Sequence, residues 1–270
     1  MIRLLTETER VVAIQLLATA PQLNLYIWGN LETLGFDQDF CEFWGDVVET
    51  SDGQCRLRAI LNRYMTGWSV YGEAAADWVG LGQIVDTHGA GATRLQDNPG
   101  GIASFLPYLR QYQGKQVKVE ELMALEAGAF RPVAPPIDLI VRRGSMADLA
   151  ALTEFYADAG DLTRSAAGVA RPLQDTHLWL IEQQGAILAT ALTNAEIQQM
   201  AMIGGVYTLP AARGRGLSQV VCSALCAELL AEGKQPCLYW INPAAGAVYQ
   251  KLGFRSIGQW RSIWLKRNET

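Results

Sequence analysis

Val206-Tyr-Thr-Leu-Pro-Ala-Ala-Arg-Gly-Arg-Gly-Leu-Ser218 is the stretch on which the fold turns. The apolar run before it, Met200 to Leu209, reads as a strand, and the run after it, Leu217 to Ala231, has the apolar spacing of a helix. Pro210 stops the strand from continuing its ladder. Gly214 and Gly216 allow backbone conformations and close approaches that a Cβ would block. The helix that follows opens with unpaired N–H groups and a partial positive charge. A strand, a glycine turn and a helix N-terminus make a cradle for a phosphate, and Arg213 and Arg215 add positive charge at that spot. They do so in a chain with 22 Lys and Arg against 27 Asp and Glu, a net charge of −5. The ligand expected here is an anion, most simply a pyrophosphate.

Two familiar cradles are excluded. A Walker loop needs Gly-Lys-Ser/Thr after its glycines. The dinucleotide fingerprint needs a third glycine where Gln219 stands, and the near-miss Gly80-Leu-Gly82 fails at Val85 and reads as packing. A second cluster follows in Asn242-Pro-Ala-Ala-Gly-Ala-Val-Tyr-Gln-Lys-Leu-Gly-Phe254. Asn242 is a good N-cap and Pro243 a good first helical residue. Tyr249 lies two turns on, so phenol and amide share one helix face. Gly253 then turns the chain into a strand.

Outward from these two clusters the second half reads β-α-α-β-β-β-loop-α-β-α-β-β. Its strands are Asp138–Arg142, His177–Glu182, Ala186–Asn194, Met200–Leu209, Cys237–Ile241, Phe254–Gln259 and Arg261–Lys266. Its helices are Met146–Ala157, capped by Ser145, then Asp161–Val169, Leu217–Ala231 and Pro243–Leu252. The fold class is α/β, with helices flanking a mixed sheet. Three prolines in Arg131-Pro-Val-Ala-Pro-Pro136 read as a stiff connector. The expected organisation is an α/β domain over 1–130, a linker over 131–136 and a second domain over 137–270. The first half follows a similar order. Its helices are expected near Thr6–Ala18, Leu23–Leu34, Ala75–Val85 and Gly101–Tyr112. Its strands are expected near Phe40–Val48, Arg56–Arg63, Trp68–Gly72, Ala92–Gln96 and Gln116–Leu125.

Arg213-Gly-Arg-Gly-Leu-Ser218 resembles the Q/R-x-x-G-x-G/A coenzyme A loop of the GNAT N-acetyltransferases, with Ser218 standing where that family prefers Gly or Ala. Asn242…Tyr249…Leu-Gly-Phe254 resembles their C-terminal helix and strand. The resemblance covers 137–270, and the first half looks at most like a degenerate copy, as in tandem GNAT proteins. It implies acetyl-CoA as cosubstrate, no metal, and direct attack of a primary amine on the thioester. It places Val206, Tyr207 and Thr208 along the pantetheine arm, between two parallel strands that splay apart. Arg213, Gly214, Arg215, Gly216, Leu217 and Ser218 would then lie on the pyrophosphate. Tyr249 would protonate the departing thiolate, Asn242 would position the arm or its helix, and Glu196 would take the proton of the incoming ammonium.

Each of these residues also has a plainer reading: a tight turn, a core phenol, a cap, a solvated carboxylate. Binding of acyl-CoA without turnover, as a sensor or scaffold, stays open, as does an ATP-dependent phosphotransferase, although no paired-carboxylate metal motif supports the latter. Trp240, Trp260 and Trp264 are candidates for an acceptor pocket or for packing. The five Cys are scattered, with Cys222 and Cys226 on one apolar helix face, and read as reduced core thiols. Only two His are present, His88 as a loop residue and His177 at the start of a strand, and no Cys/His pairs are spaced for zinc. Hydrophobic residues at 50% and charged residues at 18% suffice for a sizeable core and exclude a disordered chain. The acidic balance argues against a nucleic-acid partner. No apolar run approaches a membrane span. A cytoplasmic location is expected, and a small-molecule amine is the expected acceptor because the first half would wall off the acceptor cleft. The oligomeric state is not legible.

Overall fold

The computed structural model describes residues 1–49, 51 and 53–269. The two halves of the sequence begin alike. Arg3-Leu-Leu-Thr6-Glu-Thr-Glu9 and Arg142-Arg-Gly-Ser145-Met-Ala-Asp148 share one spacing of arginine, hydroxyl and carboxylate. In each, a strand gives way to a capping box. The amide and hydroxyl of Thr6 donate to Glu9 at 2.9 and 3.0 Å, and those of Ser145 to Asp148 at 2.8 and 3.1 Å. The arginine then closes on the same carboxylate, Arg3 on Glu9 at 2.9 Å and Arg142 on Asp148 at 2.7 Å. The Arg142 guanidinium holds the Asp148 carboxyl down at about 2.

From these starts the halves trace one order. The first runs β1 (Ile2–Leu4), α1 (Arg10–Leu17), α2 (Pro21–Leu34), β2 (Cys41–Glu49), β3 (Cys55–Tyr64), β4 (Gly67–Gly72), α3 (Trp78–His88), β5 (Arg94–Gln96) and β6 (Tyr112–Ala124). The second runs β7 (Ile140–Arg143), α4 (Leu149–Ala157), α5 (Ala166–Gln174), β8 (Leu178–Gln183), β9 (Ala186–Ile197), β10 (Met200–Thr208), α6 (Leu217–Ala231), β11 (Gln235–Trp240), α7 (Pro243–Leu252) and β12 (Arg255–Arg267). Where α7 stands, the first half has only the 3-10 turn Leu106–Tyr108.

The chain forms two compact units, Met1–Glu120 with Gln259–Thr270, and Glu121–Gly258. In the first unit the strand order is β1-β2-β3-β4-β5, followed by the later part of β12. There Ser262, Ile263 and Trp264 pair antiparallel with Gln96, Leu95 and Arg94. In the second unit the order is β7-β8-β9-β10-β11, followed by the tail of β6. There Glu121, Leu122, Met123 and Ala124 pair antiparallel with Trp240, Tyr239, Leu238 and Cys237. Each unit is therefore completed by a strand that the other half of the sequence supplies. The prolines of Arg131–Pro136 do not mark the division. This extended segment lies within the second unit, where Arg131 N–H donates to Leu252 O at 3.0 Å and Val133 N–H to Ser223 Oγ at 2.8 Å.

The second unit buries both faces of its sheet. Leu152, Phe155 and Tyr156 of α4 and Val169 of α5 cover Leu178, Leu180, Leu192 and Tyr207. On the other face Val221, Leu225 and Leu229 of α6 and Leu252 of α7 cover Ala189, Ala201 and Ile203. The first unit buries Trp68, Val70 and Leu95 under Leu81 and Val85 of α3.

Three elements differ from expectation. Instead of Asp161–Val169, α5 occupies Ala166–Gln174, because Ser165 is the cap and accepts from Gly168 N–H at 3.2 Å. No helix spans Gly101–Tyr112. Gly101 N–H is tied to Gly72 O at 2.7 Å, and Pro107 lacks the donor a helix interior needs. The two final strands are one continuous β12.

Candidate active site

The parallel pairing of β10 and β11 is short. Met200, Ala201 and Met202 face Gln235, Pro236 and Cys237, and there the register ends. Beyond that point β10 continues to Thr208 and β11 to Trp240 without each other. A slot lined by backbone therefore opens toward the end of β10. On its other side β10 pairs with β9, but with a bulge: Gly204 faces Leu192 and Tyr207 faces Thr190, leaving Gly205 and Val206 opposite Ala191. Val206 thus has no register partner on either neighbour. The bulge is braced from α4, where the Tyr156 hydroxyl donates to Gly205 O at 2.5 Å and lies 2.6 Å from Thr190 Oγ1. Burial pushes the Tyr156 phenol up to about 12, so it stays a donor. Its place in the apolar stripe of α4 gave the sequence no sign of this role.

The glycine loop closes the slot's mouth. Gly214 and Gly216 have φ of +79° and +74°. No atom lies within 4 Å of where a Cβ would stand on either, so the backbone demands glycine there, not crowding. Gly216 is the N-cap of α6. Among the described residues, the amides of Gly214, Arg215, Gly216, Leu217 and Ser218 donate to no backbone carbonyl. Arg213 and Arg215 are exposed. Arg213 Nε donates to Thr208 O at 3.2 Å, and Arg215 reaches Gln183 Oε1 at 3.4 Å. The Thr208 hydroxyl is buried without a partner. Open amides, two exposed cations and an orphaned hydroxyl along one slot fit a ligand with an anionic head and a polar arm, which is the chemistry of coenzyme A. The Leu217 side chain is in the core, leaving its amide at the loop, and the Tyr207 ring packs edge-on to Phe155 and stacks on Tyr156, leaving its backbone at the bulge.

Asn242 caps α7, accepting from Ala244 N–H at 3.0 Å. Two turns on, Tyr249 is buried against Phe254, with ring centroids 6.0 Å apart. Burial, with Cys222 and Cys226 alongside, raises its phenol far above the usual tyrosine value. Among the described residues no group hydrogen-bonds its hydroxyl. Cys222 and Cys226 are core thiols pushed upward by burial, Cys222 to about 12.

Glu196 does not join this group. It lies opposite Ala201 at the start of β10, inside an ion cluster at the C-terminal end of α6. His177 Nδ1 is 2.6 Å from one carboxylate oxygen and Lys234 Nζ 2.6 Å from the other, while Thr193 donates at 2.5 Å. Burial works to raise its pKa, but these donors overcome it and hold the carboxyl at about 2. This carboxylate is engaged by three donors, away from the Tyr249 group. His177 is buried, its Nε2 3.0 Å from Glu232, and it neither faces solvent nor merely packs. The tryptophans are structural. Trp240 Nε1 donates to Met123 Sδ at 3.0 Å, Trp260 is buried in the first unit, and Trp264 lies under Arg94 and Lys118.

The first unit repeats the strand pattern without the site. Gly67, Trp68 and Ser69 of β4 pair parallel with Arg94, Leu95 and Gln96 of β5. The gap beyond is then shut by a bridge between Gly72 and Gly100, with Gly72 N–H donating to Pro99 O at 2.8 Å. The helix that follows is capped by Asp77, which accepts from Gly80 N–H at 2.9 Å. A carboxylate stands where an anion would bind.

Residues 178–265 match the family model described as FR47-like protein. No curated protein matches the sequence. Solved structures share the fold over the whole chain. A Drosophila protein superposes with a TM-score of 0.74 at 17% identity, covering 99% of each chain. A GCN5-related N-acetyltransferase from Sphaerobacter thermophilus gives 0.65 at 16% identity, over 99% of this chain and 95% of that one. A tandem GNAT protein from the clavulanic acid biosynthesis pathway gives 0.64 at 15%, over 100% and 99%. At these identities the likeness is one of fold.

Proposed function

With the GNAT fold, repeated along the chain, as the premise, we propose that the second unit is an acyltransferase that moves an acetyl group from acetyl-CoA to a small primary amine. The observation that carries this reading is the open slot: β10 and β11 part after Met202 and Cys237, and unengaged amides wait at its mouth. The residues of the loop from Arg213 to Ser218 hold the diphosphate through N–H groups, the α6 N-terminus and two guanidiniums. Exposed backbone of Val206 and Thr208 aligns the arm, and the amide of Val206 polarises the acyl carbonyl. Acetyl-CoA supplies an activated thioester. Tyr249 Oη holds the proton that the leaving sulfur takes up; the attacking nitrogen sheds its proton to solvent, and the phenol is refilled from solvent. Asn242 acts by fixing the start of α7, and thereby Tyr249.

The test is calorimetry with coenzyme A, followed by thiol release from acetyl-CoA over a broad amine panel. Binding with turnover, and turnover cut roughly 100-fold in Tyr249→Phe without loss of affinity, is the expected outcome. Absence of both binding and thiol release would overturn the reading. The capture of Glu196 in its ion cluster favours one second reading, a unit that binds acyl-CoA without turning it over. Tight binding with no thiol release, unaltered in Tyr249→Phe, would select it.

A further inference from the structure

The segment between α4 and α5 carries Arg164, a half-buried arginine. Its Nη2 donates to Asn194 Oδ1 at 2.9 Å, and its guanidinium carbon lies 5.7 Å from the centre of the Tyr156 ring. Its Nε is shielded from water and has no partner. Asn194 in turn is pressed against the bulge: a Cβ on Gly204 would come within 2.0 Å of its Nδ2. Tyr156, beneath the guanidinium, is the residue that braces Gly205. Arg164 is thus joined to the bulge twice, through Asn194 and through Tyr156. Among the described residues no carboxylate lies within ion-pair distance of it, whereas the half-buried Arg58, Arg63 and Arg261 each have one.

A guanidinium partly withdrawn from water, bonded to Asn194 and placed over the Tyr156 ring, is held in place but lacks its natural complement. That complement is a planar anion able to take two parallel N–H bonds. We infer that the acceptor amine carries a carboxylate close to its nitrogen, and that Arg164 binds this carboxylate to aim the amine at the bulge. The inference rests on the acyl-transfer reading above and narrows its substrate class to amino acids and short amino-acid-like amines. Because Asn194 touches both the guanidinium and the space beside Gly204, the acceptor expected is a compact one.

The experiment pairs the common amino acids with their carboxamides, and glycine with aminomethylphosphonate, as acceptors for the coenzyme-loaded full chain. The expected result is at least a tenfold preference in kcat/KM for the acid over the amide in one or more pairs. Arg164→Gln should raise KM for that acid at least tenfold and leave KM for its amide and the affinity for coenzyme A unchanged. Arg164→Lys should restore part of the loss. Equal use of acid and amide, an equal loss for both in Arg164→Gln, or a preference for the phosphonate would overturn the inference. Calorimetric binding of the corresponding N-acetyl amino acids and N-acetyl carboxamides decides the matter even if no acceptor is turned over. A tenfold preference for the acids, abolished in Arg164→Gln, would uphold the role of Arg164 while the acyl-transfer reading fails. No preference would overturn it.

Discussion

At Gly216 a side chain would meet open space and still be refused, because its φ of +74° suits a residue without Cβ. Gly216→Ala is expected to cost about 1–2 kcal/mol of stability, read as a lower melting temperature. It should weaken coenzyme A binding by more than that loss explains, since the new methyl group stands beside the open amides. Tyr249→Phe should leave both melting temperature and coenzyme affinity nearly unchanged and act on kcat alone. These residues were legible because a glycine turn between apolar runs, and an Asn-Pro start to a helix, have meanings that do not depend on distant partners. Glu196 misled because its position before a strand carries no information about what packs against it. Its donors His177 and Lys234 lie 19 and 38 residues away in sequence. Arg164 was silent for the same reason, its value coming from Asn194, 30 residues on.

The elements tell a similar story in units of helix and strand. The bounds of α6 and α7 were readable to the residue, since each has a start signal and a glycine beyond its end. The shift of α5 traces to one competing cap, Ser165, and the helix it starts runs on through Pro172. The ion cluster of Glu196 ties β9 to the start of β8 and the end of α6. Glu196→Gln breaks it and is expected to destabilise the protein by roughly 3–5 kcal/mol. The sign of its pH dependence follows from its members. Glu196 is held below its ordinary 4.5, so its contribution is present above that value and is lost as pH falls toward about 2. His177 is raised above 6.5 by Glu196 and Glu232 against the effect of burial, so its contribution is full below 6.5 and is lost as pH rises through the raised value. The melting-temperature gap between the parent and Glu196→Gln should therefore be widest between 4.5 and 6.5. A gap that is flat across pH would show that the cluster does not hold these elements together.

For the whole molecule, the repeat was legible as element order, and its residue signature is the shared arginine-hydroxyl-carboxylate start at Arg3 and Arg142. The exchange of closing strands was not legible, because no local pattern says which of two similar partners a strand will choose. A fragment cut at the prolines, 137–270, lacks the residues that pair with β11 and carries a β12 tail with no β5 to meet. It is expected to lack cooperative unfolding and to bind no coenzyme A, whereas a fragment over 121–258 contains the whole second unit and should unfold cooperatively and bind coenzyme A. Calorimetry on the two fragments separates the alternatives. The bond from Arg94 to Ser262 joins residues 168 positions apart. At a ribosomal pace of about 5–20 residues per second, the opening half must wait roughly 8–34 s, with the edge of β5 uncovered, before the segment that seals it has been made. Chaperone dependence during synthesis should accordingly fall on the half that emerges first, although the chemistry belongs to the half that emerges second.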